Sequence, residues 1–196
     1  MNLFRTLNGA ALLGLVGVGG LNGCIQAPEY PITPEIDFKE VKVAYINDPN
    51  SPSNELTFVV NFRDGDGDLG LSDDDIKTAP YNQAAQPAAL RRGHATNVYN
   101  YYIQPYVRDA SGRFVQFINP APFGKLGEYD STFPHLDGVD AKAAPLKGEL
   151  NYKLPLTLDG SIFKAGQVLR FELTILDRQL HVSNTVTTSE ITLGPR

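Results

Sequence analysis

The chain has 196 residues, 17 basic against 22 acidic side chains, a formal net charge of −5, three histidines, no tryptophan and one cysteine. An acidic chain whose only basic cluster is the isolated pair Arg91-Arg92 is a poor nucleic-acid binder, because phosphate contacts need concentrated Lys and Arg. A single cysteine also excludes an internal disulfide, so stability must come from burial or from a metal.

The first element is not part of a fold. Arg5 precedes the apolar stretch Ala10–Val18, small residues follow, and Leu21-Asn22-Gly23-Cys24 closes the segment. Charge, length and small-residue exit are those of a signal peptide, too short and glycine-rich to span a membrane. A small residue before a lone cysteine, with Leu three positions before it, resembles the lipobox of bacterial lipoproteins. The resemblance implies cleavage before Cys24 and diacylation of its thiol, so that residues 1–23 contribute nothing to the fold. Their removal takes away Arg5 and no acid, which moves the charge from −5 to −6. That acidity disfavours anionic lipid and leaves the acyl chains as the membrane contact. Ile25 is no acidic retention signal, so the expected location is the outer membrane.

Residues 24–37 read as the lipidated Cys24 and a tether. Pro28, Pro31 and Pro34 recur every three residues, which favours polyproline II at about 3.1 Å per residue and a reach of roughly 40 Å. Residues 38–196 form one domain, and their hydrophobic pattern has period two. Leu56, Phe58, Val60 and Phe62 fall on one face; so do Leu169, Phe171, Leu173 and Ile175. Such alternation predicts half-buried antiparallel strands. Seven are expected, at 38–46, 55–63, 98–108, 113–119, 148–158, 167–177 and 185–193, with Asp109-Ala110-Ser111-Gly112 as a hairpin turn. Pro105 predicts an edge or a bulge in the third. Short strands without helical periodicity indicate an all-β fold, an immunoglobulin-like antiparallel β-sandwich. If the strands alternate up and down, the links 47–54, 109–112 and 159–166 share one end. The connections 64–97, 119–147 and 178–184 then cluster at the other, and loops of the length of the first two tend to be functional or disordered.

The second strand runs into Asp64-Gly65-Asp66-Gly67-Asp68-Leu69-Gly70-Leu71-Ser72-Asp73-Asp74-Asp75. Carboxylates at alternate positions in a glycine-rich turn can bring their oxygens to one point, and Ca²⁺ takes six to eight oxygens at about 2.3–2.6 Å. Asp64, Asp66 and Asp68 match positions one, three and five of the EF-hand loop. Gly70 would offer a carbonyl, Ser72 a water-bridged position, and Asp75 the closing acid. Position six is Leu69 instead of glycine and the flanks are strands, so the loop borrows the coordination logic without being an EF-hand. Asp177, expected at the same end of the sandwich, is a further candidate ligand. The competing reading is a solvated acidic turn, in which Ser72 and Asp75 form a capping box that starts a helix.

The segments Phe62–Gly70 and Asp177-Arg178-Gln179-Leu180-His181-Val182-Ser183-Asn184 resemble recurrent segments of uncharacterised Bacteroidota-type lipoproteins. That resemblance implies an immunoglobulin-like sandwich with an Asp-Gly-Asp-Gly-Asp loop on the outer membrane, and no activity.

Signs of catalysis are weak. His94, His135 and His181 lack zinc spacing and read as surface or loop histidines. There is no Gly-x-Ser-x-Gly elbow, Gly124-Lys125-Leu126-Gly127 is no phosphate loop, and Glu128 with Asp137 or Asp140 could supply opposed acids in the long loop, where solvated acids are common. Tyr99, Tyr101, Tyr102 and Tyr106 read as packing before a platform for sugar or peptide. The expected function is therefore a lipid-anchored, non-catalytic module with a Ca²⁺-organised loop that binds a protein or glycan partner. The alternative is a metal-dependent hydrolase of surface polysaccharide or peptide.

Overall fold

The structure is a computed structural model and describes residues 28–84, 96, 99–121, 124–138 and 142–195. Cys24 and the signal segment, Arg91, Arg92, His94 and Asp140 lie outside the described residues.

Among the described residues eight strands appear, in the order β1 (Glu35–Ile46), β2 (Ser53–Asp64), β3 (Tyr101–Arg108), β4 (Phe114–Gln116), β5 (Leu146–Thr157), β6 (Val168–Ile175), β7 (Val186–Thr187) and β8 (Ile191–Thr192). One sheet has the order β1-β2-β5 and the other β4-β3-β6-β7, with β8 also paired to β6. Every pairing is antiparallel. The two sheets bury their inner faces against each other, in the strand order of an immunoglobulin-like sandwich. Leu56, Phe58, Val60 and Phe62 from β2 meet Leu169, Phe171, Leu173 and Ile175 from β6 in one core. Phe58 and Phe171 pack with ring centres 4.9 Å apart.

The expected last strand is broken into β7 and β8 because Thr188 serves as its own ladder rung. Its hydroxyl accepts the Phe171 N–H at 3.0 Å, while its N–H donates to the Phe171 carbonyl at 2.9 Å. Pro105 sits in an interior strand, between β4 and β6, not at an edge. Its carbonyl accepts the Phe117 N–H at 2.9 Å on the β4 side. A residue's N and C=O point the same way in a strand, so the missing N–H falls where β4 ends and leaves the β6 ladder intact.

The short connections share one end and the long ones meet at the other. There Leu69 bridges Asp177, the Leu71 N–H donates to the Phe133 carbonyl, and the Ala144 N–H to the Asp66 carbonyl. The first part of the connection 119–147 instead runs along the side of the sandwich. Tyr129 packs on Phe163, and the Asp130 carboxylate accepts the Ile103 N–H at 2.8 Å.

β1 begins at Glu35, three residues before the expected Phe38, so the last residues of the proline-rich stretch belong to the sheet. Just before it, the Pro31 carbonyl accepts the Gly65 N–H at 2.8 Å. A Cβ on Gly65 would run into the Tyr30 and Pro31 carbonyl oxygens. Glycine is thus required there by close approach, and the N-terminal segment is seated on the acidic loop. Gly65→Ala is expected to unseat it, costing roughly 1–3 kcal/mol as an overpacked contact. Urea unfolding reads the loss, and cleavage after Glu29 by a glutamate-specific endopeptidase should become faster; unchanged cleavage would mean that the segment is not held there.

Candidate metal centre

Period two carries the inward stripe of β2 one step past Phe62, onto Asp64. Its carboxylate is 0 % exposed, and neither oxygen has a hydrogen-bond partner. The chain then turns through the glycine-rich loop, where Gly67 adopts φ +70°. That left-handed conformation suits glycine, and it lets the chain curl so that Asp66 and Asp68 come back to Asp64. One carboxylate oxygen from each of the three lies within 4.8 Å of the others. Asp66 Oδ1 and Asp68 Oδ1 are also buried without a partner, so the cluster presents unsatisfied oxygens from all three residues.

The loop is held from several sides. The Arg178 N–H donates to the Asp68 carbonyl at 3.1 Å, and Gln179 Nε2 to Asp66 Oδ2 at 2.6 Å. Arg178 in turn pairs with Asp137 at 3.1 Å. Leu69, in the place an EF-hand gives to glycine, is a buried core residue, so the loop continues into the fold instead of closing on itself.

Asp177 continues the inward stripe of β6 as Asp64 does that of β2, and it too is 0 % exposed. Its oxygens are occupied. Oδ1 accepts the N–H groups of Gln179 and His181 at 2.9 and 2.8 Å, and His181 Nδ1 lies 2.7 Å from Oδ2. The Tyr81 hydroxyl donates to the Asp177 carbonyl at 2.8 Å. Asp177 therefore acts on the cluster as a neighbouring charge, outside the three-residue group.

Asp75 is engaged elsewhere. Its Oδ2 accepts the Ser72 N–H and hydroxyl at 2.8 and 2.7 Å, its own N–H donates back to Ser72 Oγ at 3.1 Å, and His135 Nε2 lies 2.6 Å away. That is the capping-box geometry, and it opens a single 3-10 turn, Asp75–Lys77. Burial works against the Asp75 carboxylate, but the bonds from Ser72 and His135 outweigh it and hold its pKa below the usual range. Both histidines among the described residues thus sit against aspartates of this end, a pairing that no local spacing announces for His135.

The tyrosines divide by face. Tyr101 is core, between Phe133 and Tyr152. Tyr99 lies just ahead of β3 and packs with Tyr102, Leu176, Leu180 and Val182 in a small second cluster, so it does not share a face with Tyr101. The Tyr106 hydroxyl donates to Glu172 at 2.9 Å.

Burial, with the charges of Asp66, Asp68 and Asp177 behind it, pushes the Asp64 pKa up to about 7. Asp68 is pushed up to about 6, by burial and then by Asp177 and Asp66. Asp177 is raised as well, by burial, against the bonds from His181 and Gln179. A buried carboxylate without a hydrogen bond is costly as an anion, and it is relieved by a proton or by a cation. One oxygen each from Asp64, Asp66 and Asp68 comes close enough for a single hard divalent ion to contact all three.

No protein-family model matches the chain, and no curated protein matches it. Among solved structures, the X-ray structure of Northeast Structural Genomics Consortium target SoR45 is similar over 83% of this chain and 87% of that one. At 10% identity and a TM-score of 0.28 the likeness carries no argument. What fold and site define is a class: an antiparallel β-sandwich with a three-carboxylate cluster at the end of its core. No helix among the described residues is long and apolar enough to cross a membrane.

The raised acids fix the sign of the metal-free pH dependence. Folded Asp64 and Asp68 keep protons up to about pH 7 and 6, whereas the unfolded chain releases them above about pH 4. The folded state binds more protons in that window, so their contribution to stability falls as pH rises from about 4 to 7 and is flat above. In chelator, the urea midpoint is expected to fall across this range. Asp64→Asn should flatten the fall and raise the midpoint at pH 8; a variant less stable than wild type at pH 8 would contradict the assignment.

Proposed function

We propose that this chain is a lipid-anchored, non-catalytic β-sandwich module of the outer membrane, whose Asp64–Asp68 loop is organised by Ca²⁺. Cys24 carries the lipid, and the loop end presents the surface that meets a partner. The observation that carries the reading is the fully buried, unpartnered Asp64 carboxylate with Asp66 and Asp68 turned toward it. Leaving three ionised carboxylates together costs roughly 1 kcal/mol per pair near 4 Å even at the dielectric of water, and more where they are buried. A divalent cation converts that repulsion into binding free energy. Ca²⁺ suits the site better than Mg²⁺, because Mg²⁺ demands near-ideal octahedral geometry and keeps several waters.

The ion's role in this reading is structural. It would be held by Asp64, Asp66 and Asp68, with backbone carbonyls and water completing its shell. By fixing the loop it also fixes the segments clamped to it, around Arg178, Ala144 and Pro31. Those segments compose the end of the sandwich where a partner would dock. The acids that the fold places outside the cluster, Asp75 and Asp177, are consumed by Ser72, His135, Gln179 and His181.

Thermal unfolding in excess EDTA against millimolar Ca²⁺ tests the reading. A ligand at a hundredfold excess over its Kd stabilises by about 2.7 kcal/mol, which for a domain of this size raises Tm by roughly 5–10 °C. Asp66→Asn is expected to remove most of the rise while leaving the EDTA midpoint at or above wild type. A wild-type Tm indifferent to millimolar Ca²⁺ would reject the cation.

A further inference from the structure

The N-terminal segment and the carboxylate cluster share one end of the molecule. Gly65, between Asp64 and Asp66, is hydrogen-bonded to Pro31, and β1 enters the sheet four residues later, its Glu35 opposite Arg63 and ion-paired with it at 2.6 Å. The chain therefore joins the sandwich at the cluster, and not at the end with the turns 109–112 and 159–166. Only seven peptide units separate Cys24 from Pro31, so that stretch spans at most about 25 Å when fully extended. The twelve-residue β1, β2 and β5 make the sandwich roughly 40 Å long at about 3.3 Å per residue. A 25 Å leash cannot lift the cluster end a full 40 Å from its anchor. Orientations with the far turns against the bilayer and the cluster pointing away are excluded by length alone.

We infer that, given the lipidated Cys24 and the loop cation proposed above, the occupant of the Asp64–Asp68 end is the lipid surface and not a protein or glycan, with the cation lying between its carboxylates and the headgroup phosphates. Charge supplies the second half of the argument. Asp64, Asp66, Asp68 and Asp177 gather at this end, and of the cations beside them Arg178 is paired with Asp137, Arg63 with Glu35 and Asp37, and Lys77 with Asp74, while Lys147 lies opposite Arg63. A bare acidic end is repelled by anionic headgroups, and the short leash keeps it close to them. A divalent cation held by the three carboxylates removes that repulsion, and phosphate oxygens are hard ligands of the kind Ca²⁺ accepts. Asp66 and Asp68 are partly exposed residues and lie on the surface side of the cluster, with their free oxygens turned inward toward Asp64, so the ion would sit just beneath that surface. Docking at this end thus depends on the ion, whereas attachment to the membrane depends on the acyl chains alone.

The test uses the full, acylated chain in phosphatidylglycerol-containing vesicles with an energy acceptor at headgroup level. Cys24 is blocked by its lipid, so a single introduced thiol carries the donor. Gln83→Cys reports on the cluster end, two residues after Tyr81, whose hydroxyl reaches the Asp177 carbonyl. Ala110→Cys, in the exposed β3–β4 turn, reports on the far end. In Ca²⁺ the donor at 83 should transfer roughly twofold or more better than the donor at 110, for ends about 40 Å apart. EDTA or Asp66→Asn should shrink that ratio without releasing protein from the vesicles. Equal or reversed transfer in Ca²⁺ overturns the inference, as does a ratio indifferent to EDTA. A Ca²⁺-dependent Tm that persists in either case shows that the cation site stands and the docking does not. Loss of both effects, or a Cys24 without acyl mass, removes the reading on which the inference rests.

Discussion

Asp64 and Asp177 each end a stripe of inward-facing apolar residues, one on either sheet, so the core of the sandwich closes against two carboxylates at full burial. The register of β2 and β6 puts them there, and period-two alternation gives the chain no way to turn them outward without turning the core outward as well. Their surroundings then diverge. Asp177 begins a tight turn in which Gln179, His181 and the His181 ring supply hydrogen bonds to the carboxylate. Leu180 takes a left-handed φ of +67° within that turn, a conformation that costs a branched side chain of order 1 kcal/mol or more. The fold accepts strain to satisfy Asp177. Asp64 receives nothing comparable, and the glycine-rich loop brings two more acids toward it.

Much of the end structure follows from that asymmetry. The turn that satisfies Asp177 also sends the Arg178 N–H and the Gln179 side chain onto the acidic loop, so the two carboxylates are linked through one short segment. Arg178 reaches Asp137, and His135, two residues before Asp137, reaches Asp75. The long connections are therefore ordered by polar contacts that radiate from the ends of β2 and β6. Among their described residues the buried apolar side chains are Leu69, Leu71, Tyr81 and Phe133, with Tyr129 and Leu136 packed partly buried against the core. Changing the charge at Asp64 consequently acts on a network and not on a single side chain.

The strands were legible because half-buried antiparallel strands write their burial into the order of residues, and the clustering of long connections followed from counting strands. Applied one residue further, the same alternation marks Asp64 and Asp177 as inward-facing carboxylates, a stronger signal than the Asp-Gly repeat itself. The partners of those carboxylates were not legible. His135 lies 60 residues from Asp75 and Gln179 lies 113 from Asp66, and only the folded chain joins them. Asp75 shows how two local patterns compete: spacing from Asp64 fits a closing acid, spacing from Ser72 fits a capping box, and the nearer partner took it. The split between β7 and β8 was hidden for a related reason, since Thr188 copies a backbone rung with its side chain and leaves the apolar alternation undisturbed.

A carboxylate's role at this end can be read from what its oxygens still need. Each ionised oxygen accepts about two hydrogen bonds, and a buried one left empty carries an uncompensated desolvation cost. Asp75 commits Oδ2 to Ser72 and His135, and Asp177 commits both oxygens to Gln179 and His181, and in doing so they stiffen the turns around them. Asp66 divides its oxygens, one to Gln179 and one without a partner, while Asp64 has spent none. Depth alone does not set that capacity, since Asp177 and Asp64 are both fully buried and only Asp177 is satisfied by protein. A merely solvated turn would keep its free oxygens at the wet rim, whereas those of Asp64, Asp66 and Asp68 are all out of water. The unspent capacity is confined to the three acids of the cluster, where a proton or a cation would relieve it.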